Sequence, residues 1–241
     1  MHKPSKSRLL VLAVCAVMPS FLKRPIYRLF FGYKIGKRVR IGISIIDAAD
    51  CHIDDDVQMG HFNVVTRVQK LTIKDHVRIG HLNIIRGGDE VSLGRYCEII
   101  RMNEINSIPE PEVVNKIDPV FLLGDGSIVT TGHKIDFTDR VEIGRRVILG
   151  GRNSSIWTHN RQRTLPIMIG SLVYMGSEIR MAPGSAIPAR SIVGIGSVIT
   201  AALTEEGKLI AGVPAKTIKE LSQEDQFLIE RKTRPDLPDD V

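Results

Sequence analysis

The sequence predicts an all-β fold, a parallel β-helix built from six-residue repeats, and three observations carry that prediction. From Ile169 to Thr200 a unit recurs without a slip, as Ile169-Gly170, Met175-Gly176, Met181-Ala182, Ile187-Pro188, Val193-Gly194 and Ile199-Thr200. Each pair is an aliphatic residue followed by a small or ring-constrained one, and Val173, Ser185, Ser191 and Ser197 reinforce the pattern at the fifth position. A hexapeptide period means one short strand and a turn per unit, with three units closing a triangular coil whose aliphatic residues stack inward. The second observation is that the period returns earlier in the chain. The third is that aromatics make up 5% of residues against 43% hydrophobic content, which suits thin coils filled with Ile, Val and Leu.

Residues 1–32 precede the repeats. Lys3, Lys6 and Arg8 lead into an apolar run from Leu9 to Met18, followed by a basic, amphipathic continuation through Phe31. That run is too short for a transmembrane helix, which needs about twenty residues. A basic lead and an apolar run are also the parts of a signal peptide, but no small-x-small cleavage site is clear before Pro19. The segment reads either as a helix lying on a membrane surface or as a cap over the first coil, because an open β-helix end must be covered.

Residues 33–215 form the solenoid. Ile35-Gly36, Ile41-Gly42, Ile53-Asp54, Met59-Gly60 and Val65 share one register, which shifts by two at Ile73, Ile79-Gly80, Ile85 and Val91. Leu93-Gly94 and Ile99 shift again before Ile143-Gly144 and Leu149-Gly150 restore it. Such shifts mark lengthened turns. Two stretches break the period outright: 103–119, with Pro109, Pro111 and Pro119, and 152–166, with the single Trp. Both read as extruded loops, and insertions in repeat proteins tend to carry function. Residues 216–241 read as a helix and a Pro-rich tail.

A net charge of +6 and a pI near 9.3 suit a phosphorylated ligand or an anionic membrane. Nucleic acid is not indicated, since no aromatic-interleaved basic motif is present. Cys15, Cys51 and Cys97 are odd in number and unpaired in spacing, which suits reduced thiols and a cytoplasmic compartment.

Ile169-Gly170, Tyr174-Met175-Gly176-Ser177, Ala182-Pro183-Gly184, Gly194 to Thr200 and Ala211-Gly212-Val213-Pro214-Ala215-Lys216 together resemble the C-terminal signature of bacterial hexapeptide-repeat acyltransferases. The sugar and polysaccharide O-acetyltransferases come nearest. The resemblance is specific from about 123 to 219 and rests on period alone before that. It implies a left-handed β-helix, a homotrimer, and an acetyl-CoA groove between subunits.

The same resemblance implies a general base at His159, in Thr158-His159-Asn160 on the loop before the terminal repeats. A sugar hydroxyl attacks a thioester poorly, and an imidazole titrating near neutrality can take its proton. His133 and Asp136, in a Gly-His-x-x-Asp stretch, are expected to bind the acceptor together with Trp157 and Asn160. Tyr174, Gly176 and Ser177 are expected against pantetheine, Ile195 and Thr200 further along the groove, and Lys216 and Lys219 at the CoA phosphates. The chain departs from the family in carrying Tyr174 where Trp is common and Ala201 where a cation is common.

Other readings are open at this point. Ile79-Gly80-His81 and Met59-Gly60-His61 resemble the zinc carbonic anhydrase of the same architecture, but Arg86 and Thr66 stand where its further histidine would be, so no metal is expected. An amino-sugar N-acyltransferase would need the same base, and a silent scaffold would share the solenoid. The favoured expectation is acetyl transfer to a sugar hydroxyl on a nucleotide sugar or lipid-linked glycan in cell-surface polysaccharide or lipopolysaccharide assembly. It would take place in the cytoplasm, with peripheral contact at the inner membrane face.

Overall fold

The computed structural model describes residues 2, 4–108 and 116–241. It is a left-handed parallel β-helix of about eight turns. The inward positions are those of the six-residue period. Ile35, Ile41, Ile53, Met59, Ile79, Ile99, Ile143, Ile169, Met175, Met181, Ile187, Val193 and Ile199 are all buried in one continuous core.

The coil has three faces. The first runs from Lys34–Ile35 to Ala186–Ile187, the second from Arg40–Ile41 to Lys208–Gly212, and the third from the start of Ile45–Ile53 to Val198–Ile199. Neighbouring rungs within each face are parallel, as in Ile35↔Ile53, Met59↔Ile79 and Met181↔Ile199. The first and third faces join into one 14-stranded sheet because the long strands Ile45–Ile53 and Val64–Ile73 bend round the corner between them. The register explains the sequence phase shifts. Paired residues lie 18 apart at Ile35↔Ile53 but 20 apart at Met59↔Ile79 and Ile79↔Ile99, so the coil gains two residues at its corners.

The longer coils hold a buried polar ladder between the second and third faces. Asn83 donates from both its backbone N and its Nδ2 to Asn63 Oδ1, each at 3.0 Å, and Asn103 repeats both bonds to Asn83 Oδ1. The ladder continues as His133 N donates to Asn103 Oδ1 at 2.9 Å and Ser154 N donates to His133 Nδ1 at 3.2 Å. Each side chain pairs a backbone donor that the turn would otherwise bury unsatisfied. The coils leave no room for side chains at their tightest crossings. A Cβ on Gly80 would sit 1.9 Å from Ile100 O.

Two helices close the N-terminal end: α1 (Lys6–Val17) and α2 (Ser20–Phe31). Leu12, Cys15 and Tyr27 enter the core, and the buried Lys23 Nζ donates to the carbonyls of Ala16, Ile41 and Gly42. Lys23 therefore ties the last turn of α1 to the exposed carbonyls of the first coil. Arg8 Nε holds the buried Asp47 at 2.7 Å. Burial alone would raise the Asp47 carboxyl, but Arg8 and His2 outweigh it and hold it below the usual carboxylate range. Capping of the first coil, one of the two expected roles for this segment, is thus present.

Three boundaries differ from the sequence expectation. The first loop starts later than 103, because Asn103 joins the ladder and Glu104–Asn106 is a strand; its middle, 109–115, lies outside the described residues. Ser155–Trp157 forms a rung of the third face inside 152–166, so the extruded part is shorter. The C-terminal region begins with a strand, Ala215–Glu220, antiparallel to Lys208–Gly212, before α3 (Gln223–Glu230). Sequence periodicity cannot see such rungs when the inward residue is flanked by polar ones.

The tail after α3 runs back along the corner between the first and second faces. The buried Arg234 donates from Nη1 to the carbonyls of His76 and Tyr96, both at 3.0 Å, and Leu237 packs where Gly126 leaves space. Asn83→Ala should destabilise the fold by about 1–3 kcal/mol, because it leaves the backbone N of Asn103 buried without an acceptor and its Nδ2 with Thr130 O alone. Chemical denaturation checks this; a change under about 0.5 kcal/mol would mean that the ladder is ornamental.

Candidate active site

Both loops that break the repeat leave the solenoid at the same corner, where the third face turns into the first. The first departs after Glu104–Asn106, the second after Ser155–Trp157, and one coil, carrying Thr138 and Asp139, lies between them. The second loop is a short hairpin. His159 pairs with Thr164, Asn160 N donates to Arg163 O, and Asn160 Oδ1 accepts from the backbone N of Gln162 at 2.8 Å and Arg163 at 3.0 Å. Asn160 thus closes the turn that presents His159.

Asp136 ties this corner together. Its Oδ1 accepts from Thr138 N and Oγ1, at 3.1 and 2.6 Å, and its Oδ2 accepts from Thr158 Oγ1 at 3.0 Å and His159 N at 3.1 Å. Thr138 Oγ1 in turn accepts from Ile108 N at 3.1 Å, anchoring the start of the first loop. One buried carboxylate therefore fixes the base of both loops, and four donors fill its acceptor sites. Asp136 holds the His159 backbone rather than its imidazole.

Beside this corner the third face carries a pocket of about 280 Å³ lined by Arg86, Glu104, Asn106, Ser107, Ile108, Lys134, Ile135, Asp136 and Trp157. Trp157 is 47% exposed, so its ring is offered to the pocket rather than plugged into the coil. Asn106 Nδ2 donates to Glu104 Oε1 at 2.6 Å, whereas its Oδ1 is buried with no hydrogen-bond partner among the described residues. An unpaired buried acceptor in a pocket wall is costly unless a ligand donor meets it. The sequence reading missed Arg86, Glu104, Asn106 and Lys134; their one signal is their outward place between the aliphatic positions of successive coils.

His133 is not in this pocket. Its side chain is fully buried in the corner ladder, Nδ1 accepting from Ser154 N and Nε2 donating to Thr130 Oγ1 at 2.9 Å. Burial pushes its pKa down to about 4. The acceptor contact expected of His133 gives way to a structural one, because the Gly-His-x-x-Asp stretch passes through the ladder before it reaches Asp136.

The residues expected at the cofactor divide between two edges and the terminal hairpin. Gly176, Ser177 and Ile195 line the edge between the second and third faces, with Tyr174 just before it, and Gly196 N donates to Ser177 O at 3.0 Å. Gly151 lies against them; its Cβ would fall 1.7 Å from Ser177 Oγ. Tyr174 and Ile195 are exposed on this edge. Thr200 follows Val198–Ile199 and so lies at the other end of the third face, apart from them. Lys216 and Lys219 are on the hairpin strand, opposite Ala211 and Leu209. The irregularity at Ile218 puts both lysines on one side, since their partners are two residues apart.

His61 and His81 stack at 5.6 Å between centroids, and the Nδ1 of each accepts a backbone N–H, from Ile43 and His61 respectively. Among the described residues no three His, Cys, Asp or Glu side chains cluster as a metal site. All three cysteines are free and buried; burial raises each thiol, that of Cys97 to about 12.

A solved structure of the polySia-specific acetyltransferase NeuO aligns over 78% of this chain and 86% of its own, with a TM-score of 0.58 and 18% identity. The chain has the fold of the hexapeptide-repeat acetyltransferases. No protein-family profile matches it. Among curated proteins, galactoside O-acetyltransferase of Escherichia coli is 35% identical over 63 residues, 26% of this chain and 30% of that protein. A Saccharomyces cerevisiae protein provisionally named an acetyltransferase is 27% identical over 106 residues, 44% of this chain and 45% of its own. The chain therefore spans less than half the length of these curated relatives.

His133→Asn separates a structural from a ligand role, because an asparagine can continue the ladder of Asn63, Asn83 and Asn103. A histidine whose folded pKa is depressed contributes stability that is complete above its unfolded pKa of about 6.5 and is lost as pH falls toward about 4. The wild type should lose on the order of 3 kcal/mol across that window relative to His133→Asn, as read from pH-dependent unfolding. Parallel curves for the two proteins would show that the imidazole is not buried neutral.

Proposed function

We propose that this chain is an acetyl-CoA-dependent O-acetyltransferase acting on a sugar hydroxyl. The observation that carries the reading is His159 on a hairpin whose base is tied, through Asp136, to the wall of the Trp157 pocket. Trp157 offers a flat apolar face to a sugar ring, and the unpaired Asn106 Oδ1 accepts from one of its hydroxyls. Arg86, Glu104 and Lys134 give the pocket the mixed charge of a site for a polar molecule.

His159 takes the proton of the acceptor hydroxyl as its oxygen attacks the thioester carbonyl. The new C–O bond forms, the C–S bond breaks, and the imidazolium returns the proton to the departing CoA sulfur. Backbone N–H groups at a Gly-containing corner such as Gly176 would stabilise the oxyanion. Tyr174 and Ile195 suit the pantetheine arm, and the exposed Lys216 and Lys219 suit the CoA phosphates. Direct transfer is favoured over an acyl-cysteine, since no buried, raised-pKa thiol is poised as a nucleophile.

His159 lies on one edge of the triangular prism and Tyr174, Ser177 and Ile195 on another, so a site using both sets forms between two copies of the chain. An edge meeting a different edge is a heterologous contact, which closes into a ring when its rotation allows, and the threefold rotation of a homotrimer closes it. Exposed Ile43, Phe62, Leu82 and Met102 continue the cofactor edge toward the N-terminus as an apolar stripe suited to such a contact. The acceptor would be a nucleotide sugar or a lipid-linked glycan of cell-surface assembly. An amine in place of the hydroxyl would use the same base.

Thiol release from acetyl-CoA, measured against a panel of sugars, nucleotide sugars and lipid-linked fragments, tests the reading. His159→Ala should lower kcat by about 10²–10⁴-fold with the accepted sugar. Turnover with no acceptor, together with no CoA binding by calorimetry, would instead favour a scaffold. Phe62→Glu with Leu82→Glu should convert the trimer to monomers by light scattering and abolish turnover, while the isolated chain stays folded.

A further inference from the structure

The two N-terminal helices cap the first coil with one side only. In α1 the buried residues are Leu12, Cys15 and Ala16, and in α2 they are Lys23 and Tyr27. Apart from Lys6, Ser7 and Arg8 at the start of α1 and Arg24 and Arg28 on α2, the remaining surface is largely apolar where a soluble helix would be polar. α1 has no polar side chain but Cys15 after Arg8, and its Leu10, Val14 and Val17 are exposed at one-turn spacing opposite the buried stripe. On α2, Phe21 is 73% exposed, Leu29 82% and Phe30 73%.

The charge of the chain is segregated to the same end. Ten of the 33 Lys and Arg, and none of the 27 Asp and Glu, lie in the first 46 residues, so the rest of the chain is net negative. Some of these cations are used internally: Arg8 on Asp47, Lys23 on carbonyls, Arg28 on Ile35 O and Arg38 on Asp56. Lys6, Lys34, Lys37 and Arg40 are exposed around the hairpin with no carboxylate partner among the described residues.

We propose that this hairpin docks the chain onto an anionic lipid bilayer, with the apolar helix faces seated among the acyl chains and the lysines and arginines at the headgroups. Each helix has 12 residues. At 1.5 Å per residue each is about 18 Å long, well short of the roughly 30 Å hydrocarbon core. Among the described residues no helix is long and apolar enough to cross a membrane, so the hairpin lies in the interface rather than spanning it. A second copy of the chain is a poor occupant, because face-to-face contact would bring two strongly cationic ends together. An anionic surface complements both the apolar patch and its rim. The proposal is independent of the acyltransfer reading, although it would bring a lipid-linked acceptor to the enzyme.

Deleting residues 1–22 would strip Leu12, Cys15 and Ala16 from the first coil, so point substitutions on the outer surface make the test. The full chain is sedimented with vesicles of phosphatidylcholine containing about a third phosphatidylglycerol, and with pure phosphatidylcholine. Binding is expected to the anionic vesicles, weakening as salt is raised. Leu29→Glu with Phe30→Glu, and separately Leu10→Glu with Val14→Glu, should each weaken it at least about tenfold with an unchanged circular dichroism spectrum. Wild-type protein left in solution with anionic vesicles, or both variants sedimenting as well as wild type, overturns the proposal. So does a soluble oligomer that depends on Leu29 and Phe30, which would assign the face to a second copy.

Discussion

Everything in this molecule depends on the spacing at which one coil lies on the next. Backbone hydrogen bonds between parallel rungs hold neighbouring coils at about 4.8 Å. At the corners this brings chains so close that Gly42, Gly60 and Gly80 have room for no side chain. Within the coil, only the inward aliphatic residues can stack without breaking the ladder. Extra residues must therefore leave at a corner, and the corner they choose decides what they can meet.

That constraint turns three edges of one prism into three different surfaces. One edge is covered by the C-terminal tail, anchored through Arg234 to carbonyls of two coils. A second carries the bare turns around Gly151, Ser177 and Ile195. The third releases both loops, with Asp136 securing them from below. Because the prism is rigid, two of these edges cannot approach each other within one chain. The geometry that stacks the core so regularly also obliges a composite site to be intermolecular.

Polar groups inside the solenoid follow the same logic. The turn between the second and third faces buries backbone donors, and Asn63, Asn83 and Asn103 pair them at twenty-residue intervals. Where the chain next passes this point it carries His133, which uses its two ring nitrogens as an asparagine uses its carboxamide. A histidine beside a glycine and three residues before an aspartate looks like a ligand in one dimension. In three dimensions its neighbours are other rungs of the ladder.

The repeat itself was legible from the residues, because the inward aliphatic and the small corner residue are local and recur every six positions. The two loops, the apolar N-terminal segment and the place of His159 on a loop were legible for the same reason, as interruptions of a period. Strands inside the expected loops, at Glu104–Asn106 and Ser155–Trp157, were not, since a single rung is too short to show periodicity among polar neighbours. The sequence by itself determined the solenoid, its core and its interruptions. Only the tertiary structure decided that both loops share one edge, that Asp136 holds them, that His133 is buried and that Thr200 lies apart from Ser177. Those relations join residues one or more whole coils apart, and they depend on corner lengths accumulated along the chain, which no local pattern records.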